Sequence, residues 1–449
     1  MKSIVVKPSS SIKGDISLAG DKSIAHRSII LSAITPGKTR IKNFPLNQDC
    51  LSTINSFKKL GIKISRSAGN SFTVFGKGIN GLKRPNGPIF VGDSGTTMRL
   101  LAGVLAGQDF SVTLKAGRSL AKRPMLRITA PLRMMGAKIS ARRLPCRQAG
   151  KAQGLGQEEY PPLTISGRGL RAISYKVPIA SAQVKSAILL AGLYAKGRTR
   201  LQEKIKTRDH TERMLKIFKA DIKVKKNTIV IKGGRELTSP GVIHIPGDIS
   251  SASFFLVLAL LIPGSRIRIK NICLNPSRTG IIRVLKRMGA RIAITPSKDQ
   301  KPSLVEPMGD LLVMASQLRG TRISRKEIPS LIDELPVLML AACYAQGKSM
   351  FEGVQELRVK ETDRIKSISL NLKKMGADIR VNKTGASENI VIKGKKVLAG
   401  AKVSSFRDHR TAMSMVVAGL SSKGRTRIDD ISCIKKSFPD FLTLLKTLN

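Results

Sequence analysis

The chain reads as an α/β protein of six similar repeats grouped into two domains, and three observations lead there. The phrase Ile30-Leu-Ser-Ala-Ile-Thr-Pro-Gly-Lys-Thr-Arg-Ile-Lys-Asn43 returns five more times, closing on Gly107, Gly197, Gly264, Gly347 and Gly424 after Gly37. In each copy an apolar helical run stops at a glycine and a short alternating strand follows, the pattern of a helix C-cap feeding a β-strand. A second phrase answers it: an amphipathic helix ending in Gly-Ala-Lys-Ile or a variant, with Gly61, Gly136, Gly289 and Gly376 at the turn and Lys219-Ala220-Asp221-Ile222 as a glycine-free copy. A repeat of roughly 65 to 90 residues, strand-helix-strand-helix-strand, is too small to bury both faces of its sheet alone. At 449 residues the chain also exceeds the size at which one core keeps growing, so two domains of three repeats are expected.

In chain order, the first repeat opens with a strand from Ser3 to Pro8, and Leu18-Ala-Gly-Asp-Lys-Ser-Ile-Ala-His-Arg27 leads into a helix. Gly20 permits a tight turn and Ser23 can cap. Lys22 and Arg27 sit at a helix N-terminus, where cations are unfavourable unless something negative is bound; side chains that are merely solvated would read the same. The second repeat carries Val91-Gly-Asp-Ser-Gly-Thr-Thr-Met-Arg99, in which Gly92 and Gly95 let a ligand approach the backbone; no Walker sequence follows. Arg123 precedes Pro124, which drives it out of helical geometry into an extended conformation. Leu144 to Glu159 reads as a solvated loop.

The third repeat offers Ile179-Ala-Ser-Ala-Gln-Val-Lys-Ser186, short hydroxyl and amide side chains at a helix start that suit a polyol or phosphate. Lys206-Thr-Arg-Asp-His-Thr-Glu-Arg213 begins the next helix, and its Thr and Asp also serve as ordinary caps. A linker to the second half is expected near residues 241–247, punctuated by Pro240 and Pro246. The fourth repeat starts at Ile245-Pro-Gly-Asp-Ile-Ser-Ser-Ala-Ser253. In the fifth, Asp333 and Glu334 stand before a strongly apolar helix, and Lys360 and Arg364, four apart, share a helical face with Glu361 and Asp363 among them, as an i,i+4 salt-bridged helix would. In the sixth, Arg407 and Arg410 crowd a helix entrance, and Ser432-Cys-Ile-Lys-Lys-Ser437 follows.

Composition bounds the function. The longest apolar run, 253–262, is about half of what spanning a bilayer needs, and the N-terminus lacks an export signal, so a cytoplasmic protein follows. Five cysteines without a CxxC pair exclude a disulfide framework and a zinc site. The formal net charge of +51 makes a nucleic-acid binder the rival from another class. Yet the basic residues are spread over every repeat, without an aromatic-rich RNA motif or a Cys/His finger.

Every ion-bearing motif lies at the same end of a βα element, where layered α/β folds bind ligands. Lys22, Arg27, Arg123, Arg364 and Arg410 meeting in one cleft between the halves would hold two phosphates, or a phosphate and a carboxylate. Asp333 and Glu361 are the candidates for proton transfer, and no metal or cofactor is called for.

GDKSIAHR (20–27), DSGTTMRLLAG (93–103), SLAKRPM (119–125), SAQVKSAILLAGLYA (181–195), TRDHTERM (207–214), PGDISSASFF (246–255), IDELPVLMLAA (332–342), LRVKETDRI (357–365) and DHRTAM (408–413), in this order, resemble the EPSP synthase (3-phosphoshikimate 1-carboxyvinyltransferase) family. The resemblance implies two similar α/β domains, each of three βαβαββ units in an inside-out barrel-like arrangement, with the active site in the interdomain cleft. It places the domains at 22–244 and at 1–21 joined with 245–449. It implies addition and then elimination, moving the enolpyruvyl group of phosphoenolpyruvate to the 5-hydroxyl of shikimate 3-phosphate with release of phosphate. Lys22, Gly95, Arg123, Arg364, Arg410 and Lys436 would hold phosphoenolpyruvate, with Lys435 open as the alternative to Lys436. Lys22, Ser23, Arg27, Ser181, Gln183, Thr207, Asp333 and Lys360 would hold shikimate 3-phosphate. Asp333 would take the hydroxyl proton, Glu361 would protonate the methylene carbon, and Lys22 would join them in catalysis. No cofactor, metal, membrane or specific nucleic acid is implied, and a monomer is expected. Ala182 and His210 depart from the pattern of many members, and Gly95 resembles the glycine of members open to glyphosate. The rival enolpyruvyl transferase acting on UDP-N-acetylglucosamine uses a loop cysteine that residues 115–127 lack.

Overall fold

A computed structural model describes residues 3–145, 157–167, 169–297, 306–385, 387–395 and 397–448. Its helices are α1 (Lys22–Ala33), α2 (Gln48–Lys59), α3 (Gly95–Leu105), α4 (Leu126–Met134), α5 (Ala182–Gly192), α6 (His210–Ile217), α7 (Ile249–Leu261), α8 (Gly280–Arg287), α9 (Leu335–Tyr344), α10 (Arg364–Lys374), α11 (His409–Ser421) and α12 (Phe441–Lys446). The odd-numbered helices are the apolar phrase and are buried almost throughout, whereas α2, α4, α6, α8 and α10 are the amphipathic answers. Short polar residues start most of the buried helices: the side chains of Asp21, Ser94, Ser181, Asp248 and Asp408 each accept a bond from an amide of the first turn. The exception is α9, where Glu334 occupies the capping position without capping.

The two glycine phrases end differently from one another. The amphipathic helices close as Schellman turns. Gly61 N–H bonds Lys58 C=O and Ile62 N–H bonds Phe57 C=O, and the same pair of bonds recurs at Gly136, Gly289 and Gly376. Lys219 makes those bonds too, at a left-handed φ of 59°, so the glycine-free copy keeps the turn with a residue that pays in strain. The apolar helices do not cap on their glycines. Helix α7 stops at Leu261, and Gly264 lies beyond it at φ 71°, turning the chain into strand Arg266–Cys273. Gly107 breaks the series altogether: the Tyr194 ring fills the place its side chain would take.

Among the described residues, five four-stranded sheets share one plan. A leading strand runs parallel to the strand after the buried helix, and that strand pairs antiparallel into the closing hairpin, as in the sheet containing Ile89–Phe90, Ser111–Lys115, Gln157–Ser166 and Lys138–Pro145. Two strands come from unexpected places. Ile4–Val6 pairs antiparallel with Thr426–Ile428, and Lys13–Ser17 is the parallel leading strand beside Arg266–Lys270, so the N-terminal strand does not open the first repeat. Residues 241–247 are not a plain linker either: Val242–His244 lies parallel to Arg40–Lys42 and completes the first sheet. The expected loop from Leu144 to Glu159 begins and ends inside the strands Lys138–Pro145 and Gln157–Ser166, with 146–156 outside the described residues.

Two compact units result, a middle one (Gly20–Ile245 with Gln300–Glu306) and a flanking one (Met1–Ala19, Pro246–Asp299 and Pro307–Asn449). The flanking core gathers α7, α9 and α11, with Phe254, Phe255, Phe438 and Phe441 packed edge to face in a chain that has no Trp. Much of the positive charge rides on the outer faces of strands. In Arg266–Cys273 the side chains of Arg266 and Arg268 are exposed while Ile267 and Ile269 are buried. Among the described residues no helix is long and apolar enough to cross a membrane.

Candidate active site

In the middle unit, four polar helix entrances hold the predicted residues. Lys22 is the first residue of α1, and its Nζ lies 2.9 Å from Asp49 Oδ2 on α2. The negative group that a cation at a helix N-terminus demands is thus supplied in part from within. Arg27, one turn deeper, is 3% exposed and ties three helices: Nε donates to Thr211 Oγ1 (2.6 Å), Nη1 to Ser23 C=O (2.8 Å) and Nη2 to Ser186 Oγ (2.7 Å). Burial lowers its pKa to about 10, so it stays charged at neutral pH.

At the entrance of α3, Gly95 faces two guanidinium groups. A Cβ built on it would stand 3.0 Å from Arg123 Nη1 and 3.0 Å from Arg99 Nη1. Arg123 is extended (φ −95°, ψ 137°), as its place before Pro124 requires. Arg99 Nη1 donates to Gln183 Oε1 (2.6 Å), and Gln183 Nε2 donates to Thr96 Oγ1 (2.9 Å), fixing the amide at the start of α5. Ser181 caps α5. Thr207 gives both its N–H and its hydroxyl to Glu203. Buried Lys185 binds that same Glu203 (3.0 Å) and Glu212 (2.7 Å), and burial raises the Glu212 carboxyl. His210 is fully buried against Glu306 (2.6 Å).

The flanking unit gathers the two acids. Asp333, just ahead of α9, accepts at its carbonyl from Arg410 Nη1 (2.9 Å), and its Oδ1 lies 3.5 Å from Arg364 Nη1 and 4.0 Å from Arg410 Nε. Arg364 Nη2 donates to Glu361 Oε2 (2.6 Å), and its Nε to Asp408 Oδ2 (2.9 Å). Asp408 also caps α11 through the amides of Arg410 and Thr411. Burial alone would depress the Arg364 pKa, but Asp408, Glu361 and Asp333 overcome it and raise it above its ordinary value. Lys360 and Arg364 do not share a helical face. Asp363 caps α10 through Lys366 N–H and binds Arg358 (2.6 Å), so the helix starts only at Arg364 and Lys360 stays in the preceding bend, half-buried. Lys435 and Lys436 are both exposed on a 3₁₀ turn, Ser432–Lys436.

The structure therefore brings Asp333, Glu361, Arg364 and Arg410 into one network, and Gly95, Arg123 and Gln183 into another, with Lys22 paired to Asp49. Asp49, Arg99 and Asp408 were not singled out from sequence. A signal existed for each: Arg99 stands four residues after Gly95 on one helix, Asp408 immediately precedes the helix bearing Arg410, and Asp49 follows the capping Asn47. Among the described residues no His, Cys, Asp or Glu group could hold a metal ion.

Six α/β repeats with charged helix entrances define the class, the enolpyruvyl transferase fold. Within that class the chain belongs to the EPSP synthase family: the family profile described as EPSP synthase (3-phosphoshikimate 1-carboxyvinyltransferase) matches residues 6–445. The chain is 48% identical to the 3-phosphoshikimate 1-carboxyvinyltransferase of Syntrophomonas wolfei, over 97% of each chain. It is 44% identical to that of Pelobacter propionicus, over 99% of this chain and 98% of the relative. Among solved structures it resembles an EPSP synthase from Acinetobacter baumannii, at a TM-score of 0.84 and 38% identity, covering 100% of this chain and 98% of that one.

Proposed function

We infer that the chain transfers the enolpyruvyl group of phosphoenolpyruvate to the 5-hydroxyl of shikimate 3-phosphate, giving 5-enolpyruvylshikimate 3-phosphate and phosphate. Membership of the family supports the reaction, and the Asp333, Glu361, Arg364 and Arg410 network is the observation that carries the residue assignment. Asp333 takes the proton of the 5-hydroxyl as its oxygen bonds to C2 of phosphoenolpyruvate, and Glu361 delivers a proton to C3. In the second step C3 gives up a proton and the C2–O bond to phosphate breaks, so atoms and charge balance without a covalent enzyme intermediate. Two acids doing opposite work need different proton affinities.

Lys22, Arg123, Arg364, Arg410 and Lys436 hold phosphoenolpyruvate with Gly95 against it. The cations stabilise phosphate as it leaves, each contributing about 2 to 4 kcal/mol to the transition state. Ser23, Ser181, Gln183, Thr207 and Lys360, together with Lys22 and Asp333, hold shikimate 3-phosphate. Arg27 holds it with them, its donors also engaging Ser23, Ser186 and Thr211. Phosphate release from pure protein given both substrates, with shikimate 3-phosphate omitted as the control, tests the reaction. Lys22→Met and Glu361→Gln should fold and not turn over, and wild-type rates in either would remove the assigned role.

A further inference from the structure

Arg278 is a buried charge that the reaction as described does not use. It is 2% exposed, two residues ahead of α8, at the end of a turn in which its N–H bonds the Asn275 carbonyl. Its Nη2 donates to Ser250 Oγ (2.7 Å) and lies 3.2 Å from Asp248 Oδ1 and 4.0 Å from Glu334 Oε1. The Ser250 hydroxyl donates to that same Glu334 oxygen. Glu334 is fully buried at the capping position of α9 yet caps nothing. A buried carboxylate that neither caps nor reaches water is costly, so its engagement with Ser250 and Arg278 accounts for its presence.

The neighbour of Glu334 in the chain is Asp333. The two-residue acid segment is gripped from two sides: Ser250 and Arg278 take the side chain of Glu334, while Arg410 takes the carbonyl of Asp333 and Arg364 its carboxylate. The repeat explains how this arises. Arg278 spans the caps of α7 and α9 just as Arg364, one repeat on, reaches from Asp333 to the cap of α11. With the Asp333–Glu334 peptide fixed, the Cα–Cβ bond of Asp333 is aimed, and Arg364 then selects where its carboxylate points.

We propose that Arg278 and Glu334 form a positioning pair that aims the Asp333 carboxylate at the substrate hydroxyl. This rests on the reading of Asp333 as proton acceptor. Arg278→Met should lower kcat roughly 100-fold, as misplacement of a reacting group by about 1 Å does, while KM for both substrates stays within about threefold. The acid limb of the kcat–pH profile should move with it, and Arg278→Lys should recover most of the loss. Because Arg278→Met strands a buried carboxylate, the double variant Arg278→Met/Glu334→Gln, which leaves neither charge, decides the matter if the single variant does not fold. Its melting temperature should stay near the wild-type value while kcat stays low. Wild-type kcat in the folded double variant, or a rise in KM alone, would overturn the pair's role. Asp333→Asn, assayed alongside, separates the two claims. Full turnover in Asp333→Asn would bring down the proton-acceptor reading itself, whereas an inactive Asp333→Asn beside a fully active Arg278 series would bring down only the positioning pair.

Discussion

Replacing Gly95 with alanine should weaken phosphoenolpyruvate binding and leave the fold intact. Gly95 opens α3 without a left-handed φ, so the backbone accepts alanine, and helix propensity favours it by up to about 1 kcal/mol. The cost lies in two nitrogens, Arg123 Nη1 and Arg99 Nη1, each 3.0 Å from the new methyl where an unstrained contact is about 3.5 Å or more. Arg99 is 5% exposed and bound to Gln183 at 2.6 Å, so it resists. Arg123 is partly exposed and gives way by about half an ångström, roughly halving a charge-assisted hydrogen bond worth about 1.5 to 3 kcal/mol. A loss of about 0.75 to 1.5 kcal/mol corresponds to a roughly fourfold to twelvefold rise in KM for phosphoenolpyruvate. Phosphate release with phosphoenolpyruvate varied at saturating shikimate 3-phosphate measures it, and calorimetry checks the fold. An unchanged KM in a protein of unchanged melting temperature would refute the crowding argument and the place of Arg123 in the phosphoenolpyruvate site.

Glyphosate should compete with phosphoenolpyruvate, because Gly95 puts no side chain against Arg123; no inhibition well above the phosphoenolpyruvate KM would contradict this. Asp408→Ala should destabilise the protein by about 3 to 5 kcal/mol in urea titrations, since it removes both the α11 cap and a buried partner of Arg364; a change within 1 kcal/mol would show the pair to be dispensable. Burial holds the His26 imidazole neutral, with a pKa lowered to about 3, while the unfolded chain takes up its proton near the ordinary 6.5. The unfolded state therefore binds more protons below that value, and stability should fall by about 2 kcal/mol between pH 7 and pH 5. His26→Gln, which can still bond Thr53, should lose that slope, and parallel loss in both proteins would assign it elsewhere.

The local grammar of the fold was legible because it is written in residues with few conformational choices. Gly61, Gly136, Gly289 and Gly376 each mark a Schellman turn, and even the substitute Lys219 was recognisable from the phrase around it. Sheet partners were not legible from pattern alone. Nothing within Ile4–Val6 says that it pairs with Thr426–Ile428, since hydrophobic alternation states which face is buried and not which distant strand lies beside it. The site shows the same division. Arg123 was placed by its proline, a local constraint, whereas the bonds of Arg27 to Thr211 and Ser186, from 184 and 159 residues away, had no local signal. Lys360 was misplaced because charge spacing suggested a helix that the Asp363 cap begins later.

The pairing of Ile4–Val6 and Lys13–Ser17 with strands near residues 426 and 266 also orders events on the ribosome. Lys13–Ser17 must wait, unpartnered, until the strand at Arg266 has emerged, and Ile4–Val6 until the strand at Thr426, while Gly20–Ile245 can complete its own sheets early. A circular permutant opened between Ala19 and Gly20, with the old termini linked, would remove that delay, and its refolding rate beside the parent's would measure how much time the borrowed strands impose.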